Sequence, residues 1–208
     1  MAFKRTTGAG DWTSYKKVPC VIGIDQSYTR TGIAICVNGK LKKISSIDFK
    51  TVKTKTGKRL KLQEVLKKAI ESCLKKFKPE EINIICERIR TFTGSEEIRP
   101  DVIKSHAQLI AYIVDTGFMY GIPTYSVDTR AWKSGVLGTS KPLIEEFEGV
   151  KNPNKIREVK YIISLGFEDK IVKYKNKQKK KYYDDDAADA ACIALYGFVR
   201  VPRCRKEQ

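Results

Sequence analysis

Apolar runs separated by short polar turns dominate the first fifty residues and predict strands. One run at 21–24 ends in Asp25, and a small polar turn leads to a second run that continues to Ile35. β-Branched runs bounded by glycine and polar residues are typical of strands. Asn38-Gly39 then gives the strongest short signal for a hairpin. A third strand at Leu41–Phe49 is therefore predicted to pair back on the second.

Helical spacing begins after this hairpin. Apolar side chains recur at helical intervals from Leu60 to Phe77, and lysines fill the opposite face. The apolar run Ile82–Glu87 predicts a fourth strand, and a strand–helix–strand crossover of this length predicts parallel pairing. A second helix is predicted at Arg99–Gly117, where a stripe that runs from Ile103 to Val114 and includes His106 is expected to face the core.

The second half of the chain predicts one more strand and two more helices. The strand is expected at Ile122–Val127, and Trp132 after it is expected to be a core residue. A helix at Lys155–Leu165 closes at Gly166, which is a good C-cap residue. The last helix is predicted at Asp185–Val199.

Composition narrows the class of protein. A chain of 208 residues with ordinary hydrophobic content fits one domain. Its net charge of +17 predicts a polyanionic partner, and nucleic acid fits better than a membrane because the basic residues are not gathered on one amphipathic helix. No apolar run approaches the ~20 residues of a membrane helix. The six cysteines lack Cys-x-x-Cys spacing and no signal peptide is visible, so reduced thiols and a cytoplasmic location are expected, in the host cytoplasm if the protein is viral.

Acidic residues stand at three separated places in this basic chain. Asp25 and Glu87 each end an apolar strand, and several aspartates open the last helix. A buried carboxylate is costly unless a cation neutralises it, so Asp25 is either a paired structural acid or a metal ligand. Three such elements together favour a carboxylate cluster that binds hard divalent cations.

The aspartates of the last helix have different expected roles. Acids favour the positive end of the helix dipole, and capping explains Asp184 and in part Asp185. Asp189 lies one turn inside the helix beside alanines, where capping does not explain it. Its same-face partners are Asp185, four residues before, and Asp186, three residues before. Spacing alone leaves both open.

The ordered motifs resemble those of the RuvC-type Holliday junction resolvases, which belong to the RNase H-like (retroviral integrase) nuclease superfamily. The shared features are Gly-Ile-Asp-Gln-Ser around Asp25, a following Thr-Gly, Ile-Cys-Glu ending at Glu87, and Asp-Ala-Ala-Asp-Ala starting at Asp186. Trp-Lys before Val-Leu-Gly within 132–138 is similar to the phage-encoded branch. The similarity runs from about Pro19 to Val199. It implies an α/β, RNase H-like fold with a mixed five-stranded sheet and helices on both faces.

The resemblance also implies the site. It favours Asp186 over Asp185 and gives a tetrad that holds two Mg²⁺ (or Mn²⁺) ions per active site: Asp25, Glu87, Asp186 and Asp189. Lys155 is favoured over Lys160 as the lysine that relatives hold near the scissile phosphate. A homodimer that makes paired nicks across a four-way junction is expected.

Several basic residues are expected to contact DNA. Arg88 and Arg90 would bind phosphates, which position DNA without reading its sequence. Related resolvases place a wedging aromatic residue at the offset of Arg90, so Phe92 is the candidate wedge here, with local packing as the alternative. Lys133 is a further candidate for a phosphate contact. The lysine run at 170–181 is expected either to be a solvated loop or to contact the phosphate backbone of the DNA. Its candidates are Lys177, Lys179, Lys180 and Lys181.

The chain is predicted to divide into a flexible basic arm at 1–18, a nuclease domain at 19–200 and a basic tail at 201–208. The arm is predicted from its glycines, its basic residues and its lack of periodicity, and a disordered tail is the alternative. Within the domain, the irregular stretch at about 139–154 is expected to be an insertion relative to the compact bacterial enzymes, either a lid or a dimer element.

The predicted function is a structure-selective endonuclease of DNA recombination and repair that nicks branched DNA by two-metal-ion hydrolysis. Alternatives are another RNase H-like nuclease, acting on RNA–DNA hybrids or broadly on DNA, and a non-catalytic junction-binding protein. The sugar-kinase and actin family also has a hairpin in which a threonine closely follows a strand-ending aspartate, as Thr29 and Thr31 follow Asp25 here, but it needs two such domains, which this length does not provide.

Overall fold

The protein is described by a computed structural model. The described residues are 16–88, 100–143, 145–150, 152–175 and 180–199, with the backbone alone at 92–93, 96–97, 175 and 180. The predicted arm lies outside them as far as residue 15, and the predicted tail at 201–208 lies outside them completely. The three-part division of the chain stays a prediction.

Nine strands and six α-helices are assigned within these ranges. The strands are β1 Cys20–Asp25, β2 Arg30–Val37, β3 Lys40–Asp48, β4 Ile82–Glu87, β5 Phe92–Thr93, β6 Glu96–Glu97, β7 Thr124–Val127, β8 Val172–Lys175 and β9 Lys180–Tyr183. The helices are α1 Lys55–Leu74, α2 Pro100–Met119, α3 Thr129–Leu137, α4 Ile156–Ser164, α5 Glu168–Ile171 and α6 Asp185–Val199. Short 3₁₀ turns lie at Pro79–Glu81 and Pro153–Lys155.

The main sheet has five strands in the order β3-β2-β1-β4-β7. β1, β2 and β3 are antiparallel neighbours, whereas β4 runs parallel to both β1 and β7. Asn38 and Gly39 both adopt positive φ at the predicted hairpin, as a type I′ turn requires. The prediction of a mixed five-stranded sheet is confirmed.

Helices cover both faces of this sheet, as predicted. α1 and α2 cover one face over large aliphatic residues such as Ile22, Ile24 and Leu66. α6 lies on the other face with α3 and α4 beside it, and five of its eleven buried residues are alanines. α6 has the bounds that the sequence predicts.

Two predicted segments differ from the observed helices. α1 begins five residues earlier than predicted, because the Thr54 side chain accepts a hydrogen bond from the Gly57 amide and caps the helix there. The glycine-containing stretch after Trp132 was not predicted as a helix, yet it lies in α3. Asp128 caps α3 through the Arg130 amide, and Gly138 ends it at a φ of 75°. Trp132 is fully buried, as predicted.

The predicted buried stripe of α2 is wrong by one residue. The buried positions are Leu109, Ile113, Thr116 and Gly117. Val114, which the prediction turned inward, is 41% exposed, and His106 is only half-buried. Both sides of α2 carry apolar residues, so periodicity alone does not fix which side faces the sheet.

The lysine run at 170–181 contains strand residues in its described part, so it is not simply a loop. β8 and β9 form an antiparallel hairpin. The irregular stretch before α4 packs along this hairpin, because the Tyr183 amide donates to the Gly149 carbonyl and the Phe147 ring stacks on Tyr183. None of the described helices is long and apolar enough to cross a membrane.

Candidate metal centre

Two carboxylates lie at the same edge of the sheet because β1 and β4 run parallel and in register. Ile24 is paired with Cys86, so Asp25 and Glu87 follow at adjacent strand ends. Gln26 joins the strands beyond the last pair. Its side-chain amide donates to the Glu87 carbonyl at 2.5 Å and accepts from the Glu87 amide at 3.1 Å. A buried side chain thus continues the backbone ladder and fixes the position of Glu87.

Glycines bring α6 directly onto these strands. Gly32 is paired with Asp25 across β1 and β2. A Cβ at Gly32 would lie 1.9 Å from the Asp186 carbonyl, and one at Gly23 would lie 2.4 Å from the Ala190 carbonyl. Only glycine permits this approach, and it places the first turn of α6 beside Asp25.

Lys155 lies between two of the acids. Its amine pairs with the Asp189 carboxylate and lies 4.0 Å from Asp25 Oδ2. Asp189 is 1% exposed and Asp25 is 9% exposed. Lys160, the alternative lysine, instead pairs with Glu145 on the surface.

Burial raises the pKa of each of three carboxyls. For Asp25, burial raises the pKa well above its usual range, Lys155 opposes this, and Asp189, Glu87 and Asp186 add to it. Burial also raises the pKa of Asp186 to about 6 and that of Asp189 to about 7, the latter against the opposing charge of Lys155. Asp25 is thus the carboxyl on which the charges of the other three acids act together.

The lysine in this cluster keeps its charge. Burial by itself would lower the pKa of Lys155, but Asp189 and Asp25 outweigh it and raise the pKa well above its ordinary value. One protonated amine compensates only part of the negative charge of four neighbouring acids.

The donor set fits a hard divalent cation. Asp189 Oδ1 is buried and has no hydrogen-bond partner in the structure. A buried carboxylate oxygen without a partner is costly unless a cation or donor satisfies it. Carboxylate oxygens are the ligands that Mg²⁺ and Mn²⁺ prefer.

A tighter group of acids opens α6. Among the described residues, ligand oxygens of Asp184, Asp185 and Asp186 all lie within 4.8 Å of one another. Asp184, however, is already engaged. It accepts from the Ala187 amide, from Ser46 Oγ at 2.5 Å and lies 3.9 Å from the Arg30 guanidinium. Asp184 thus caps and anchors α6. Of the three acids, Asp186 contributes to the raised pKa of Asp25, after the larger effects of burial, Lys155, Asp189 and Glu87.

A second ion pair lies behind the centre. The Lys133 amine pairs with Glu158, which is 1% exposed, and also donates to the Asn154 carbonyl at 3.3 Å. Glu158 raises and Lys133 lowers the pKa of Asp189, after the larger effects of burial and Lys155. The predicted phosphate contact of Lys133 would require its amine to leave this pair.

The other predicted DNA contacts are placed as follows. Arg88 is half-buried, and its backbone amide donates to the Val127 carbonyl. The Lys181 amine pairs with Glu168. Phe92 and Lys180 are described by their backbone alone. Arg90, Lys177 and Lys179 lie outside the described residues.

Sequence reasoning missed three residues that organise the site. Gln26 holds Glu87, Arg30 holds Asp184, and Glu158 holds Lys133. Gln26 had a usable signal, since a polar residue directly after a buried strand needs a partner. Arg30 and Glu158 had none, because their partners are distant in the sequence.

Solved structures with a similar fold include Thermus thermophilus RuvC. It has a TM-score of 0.55 and 16% identity, covering 85% of this chain and 92% of that chain. T. thermophilus RuvC in complex with Holliday junction substrate has a TM-score of 0.55 and 13% identity, and the match covers 85% of this chain and 90% of that chain. The yeast mitochondrial Holliday junction resolvase Ydc2 has 15% identity over 90% of this chain and 81% of that chain, but its TM-score of 0.47 supports no inference.

At sequence identities this low, the similarity is one of fold alone. The similarity of fold to RuvC confirms the predicted RNase H-like architecture. No protein-family model matches the chain. No curated protein sequence matches it significantly.

Proposed function

We propose that the protein is a metal-dependent endonuclease that binds four-way and other branched DNA and nicks its phosphodiester bonds. The observation that carries the proposal is the convergence of buried acids around Lys155 at one edge of an RNase H-like sheet. The net charge of +17 supports a polyanionic substrate. The motif order supports a resolvase of the phage-like branch, acting in the cytoplasm.

Asp25, Glu87, Asp186 and Asp189 would hold two Mg²⁺ or Mn²⁺ ions. Ions bound there would lower the pKa of a water nucleophile and neutralise charge on the leaving oxygen. Asp189 offers its unpartnered Oδ1 to a cation. Gln26 keeps Glu87 in place, because both of its hydrogen bonds go to the Glu87 backbone.

Lys155 would contact the phosphate group of the substrate. Its raised pKa keeps the amine protonated at neutral pH. The amine pairs with Oδ2 of Asp189, whereas Oδ1 is the oxygen offered to a cation, and the Lys155 amine would be able to turn from Oδ2 and donate a hydrogen bond to a non-bridging phosphate oxygen. The lysine therefore holds the acids together before substrate binds and contacts the substrate afterwards.

Paired nicks across a junction require two centres, and we propose a homodimer. Exposed apolar side chains on α2 support a surface for a second copy, including Val114 at 41% and Met119 at 63% exposure. Sedimentation equilibrium measures the oligomeric state directly.

The five cysteines in the described part of the chain are buried and form no disulfide, which supports a reducing compartment.

The test compares three labelled substrates: a four-way junction, a linear duplex of the same sequence and an RNA–DNA hybrid. We expect nicking of the junction with Mg²⁺, little nicking of the duplex, and none with EDTA. Preferential cutting of the hybrid would instead assign the protein to hybrid-specific nucleases. Junction binding without any cleavage in Mg²⁺ or Mn²⁺ would overturn the catalytic proposal.

A further inference from the structure

A cluster of cations surrounds the N-terminal end of α1, outside the metal centre. We name it the α1 basic end, and its members are Lys53, Lys55, Lys58, Arg59 and Lys61. No acidic residue occurs between Phe49 and Gln63. Lys53 and Lys55 are exposed, and the other three side chains are half-buried.

The polar contacts of these cations are made to neutral groups. The Lys55 amine donates to Ser105 Oγ at 3.1 Å, and the Lys58 amine donates to the Tyr28 carbonyl at 2.9 Å. The Arg59 guanidinium lies over the Tyr112 ring at 5.1 Å.

Most of the charge of this cluster therefore has no carboxylate partner. The exception is Lys61, which adds to the larger effect of Lys68 in lowering the pKa of Glu64. Within the described part of the chain, no member of the α1 basic end forms an ion pair, whereas lysines elsewhere pair with acids. Examples of such pairs are Lys68–Glu64, Lys133–Glu158, Lys160–Glu145 and Lys181–Glu168.

The position of these cations is unfavourable for the isolated protein. The N-terminus of a helix carries about half a positive charge, so cations in its first turn are repelled. The first turn of α1 contains no acid to offset this. The Thr54 side chain already caps the helix through the Gly57 amide, so the cap does not require lysines in this turn. Both the repulsion and the missing counter-charge would be relieved by a bound polyanion.

The α1 basic end lies close to the acidic centre. Lys58 contacts the carbonyl of Tyr28, which is only three residues after Asp25. Three residues span at most about 11 Å. This limit applies to the Cα atoms of Asp25 and Tyr28. Each strand of a duplex carries one phosphate per roughly 3.4 Å of axis, so the α1 basic end and the centre are within reach of the same short stretch of DNA backbone.

We propose that the α1 basic end binds the phosphate backbone of the DNA within a few nucleotides of the bond that is cut. This inference rests on the proposed function, since it takes the metal centre as the place of cleavage. The neutral hydrogen bonds to Ser105 and Tyr28 hold the amines in place without cancelling their charge. DNA binding then uses a charged surface that is separate from the lysine run at 170–181.

The test is DNA binding as a function of salt, measured by fluorescence anisotropy with a four-way junction in EDTA. The variant is Lys53→Gln with Lys55→Gln, because both side chains are exposed. The matched control is Lys75→Gln with Lys76→Gln, which removes the same charge at the other end of α1, about 30 Å away. We expect the slope of log affinity against log salt to fall by about 1.8 in the variant, from about 0.9 per phosphate contact. Affinity near 0.1 M salt should fall about tenfold or more, and the control should remain close to wild type.

Thermal unfolding provides a second measurement that does not depend on DNA. The variant should unfold about 1–3 °C higher than wild type because a repulsive charge is removed from the helix N-terminus, whereas the control should unfold slightly lower. An unchanged salt slope with intact DNA binding would overturn this inference and leave the proposed function standing. Failure of the wild-type chain to bind or cut any DNA would overturn the proposed function itself.

Discussion

The side chains that pack on the two faces of the main sheet differ in size and in polarity. The face under α1 and α2 is packed with large aliphatic side chains, among them Ile24, Ile33 and Leu66, all buried. On the other face, α6 carries several buried alanines and approaches the strand glycines Gly23 and Gly32 closely. In that second layer the buried side chains include charged ones, Asp189 and Glu158.

The difference separates stability from chemistry. Burial of large apolar side chains stabilises the fold by roughly 1.5–3 kcal/mol each, so the α1/α2 face holds the domain together. A buried carboxyl whose pKa is raised lowers the stability of the folded protein when it is ionised. The acids under α6 therefore cost stability, which the apolar packing under α1 and α2 offsets. Small residues let the helix approach closely enough to place these acids beside Asp25.

The largest effect should come from removing charge at the centre. We expect Asp189→Asn to lower junction cleavage well beyond the roughly 10–100-fold that is typical for residues behind a metal ligand, because Asn keeps the shape and loses the charge. Asp186→Asn should behave in the same way, and Asp185→Asn should be intermediate. Single-turnover nicking with Mg²⁺ measures the rate. Junction binding should persist or tighten as repulsion of phosphates is relieved.

Asp184→Asn is the matched control for these variants. Asn still caps α6 well, so cleavage should continue, although the contact with Arg30 is weakened. Wild-type cleavage by Asp189→Asn would refute the proposed tetrad. Loss of cleavage by Asp184→Asn with an unchanged fold would point instead to the tighter group at the start of α6.

The close approach of α6 gives the next largest effect. Gly32→Ala would place a methyl group 1.9 Å from the Asp186 carbonyl, so α6 must shift. We expect a stability loss of about 1–3 kcal/mol or more and a fall in cleavage of about 100-fold, the cost that a displacement of roughly 1 Å can produce. Urea unfolding and single-turnover nicking measure the two losses.

Ile33→Val is the control on the opposite face, one residue away. It should cost about 0.5–1.5 kcal/mol and leave the cleavage rate of the folded protein unchanged, because Ile33 belongs to the α1/α2 layer. Equal losses of cleavage in the two variants would mean that the faces do not differ in function.

The sequence predicts the sheet and α6 because their signals are local. Strand alternation, the Asn38-Gly39 turn and the small residues of α6 each act within a few residues, and their bounds agree closely with the observed elements. Asp25 and Glu87 are visible from the sequence because each is an acid at the end of an apolar strand, and Asp189 because capping does not explain an acid inside α6. Asp186 is preferred to Asp185 only through the resemblance to the resolvases. Their roles as metal ligands stay predictions.

What the sequence does not predict depends on contacts between distant residues. The buried side of α2 was misassigned because apolar residues occur on both sides and only packing chooses between them. Helix α3 was missed because its glycine suggested a loop, whereas Asp128 caps it. Lys133 was predicted to contact phosphate because its partner Glu158 lies twenty-five residues away and gives no local signal.

A third prediction concerns this buried pair. Lys133→Met leaves Glu158 unpaired, with Oε2 already lacking a partner, and should cost about 3–5 kcal/mol of stability. The double variant Lys133→Met with Glu158→Met should recover most of that stability. We expect cleavage by the double variant to stay about tenfold low, because Lys133 also anchors the Asn154 carbonyl next to Lys155.

The salt dependence of junction binding tests the alternative role of Lys133. If Lys133 acts only through the turn that carries Lys155, the slope should be the same in the double variant and in wild type. A slope smaller by about 0.9 would show that Lys133 contacts a phosphate, as the sequence predicts.

The smallest expected effect is on stability without metal and concerns Asp186. Burial, with Asp185 adding to it, raises the pKa of Asp186 to about 6, against about 3.9 for an unfolded aspartate. The folded chain therefore binds this proton more tightly than the unfolded chain, and its stability falls as pH rises from about 4 through 6. Asp186→Asn removes the penalty, so in EDTA the variant should unfold a few degrees above wild type at pH 8, with the gain shrinking to nothing near pH 4. The exposed Asp169 gives the control, since Asp169→Asn on the surface should show no such trend. A gain that is independent of pH would mean that the carboxylate charge of Asp186 does not strain the α6 face, and the contrast between the two faces would then rest on Asp25 and Asp189 alone.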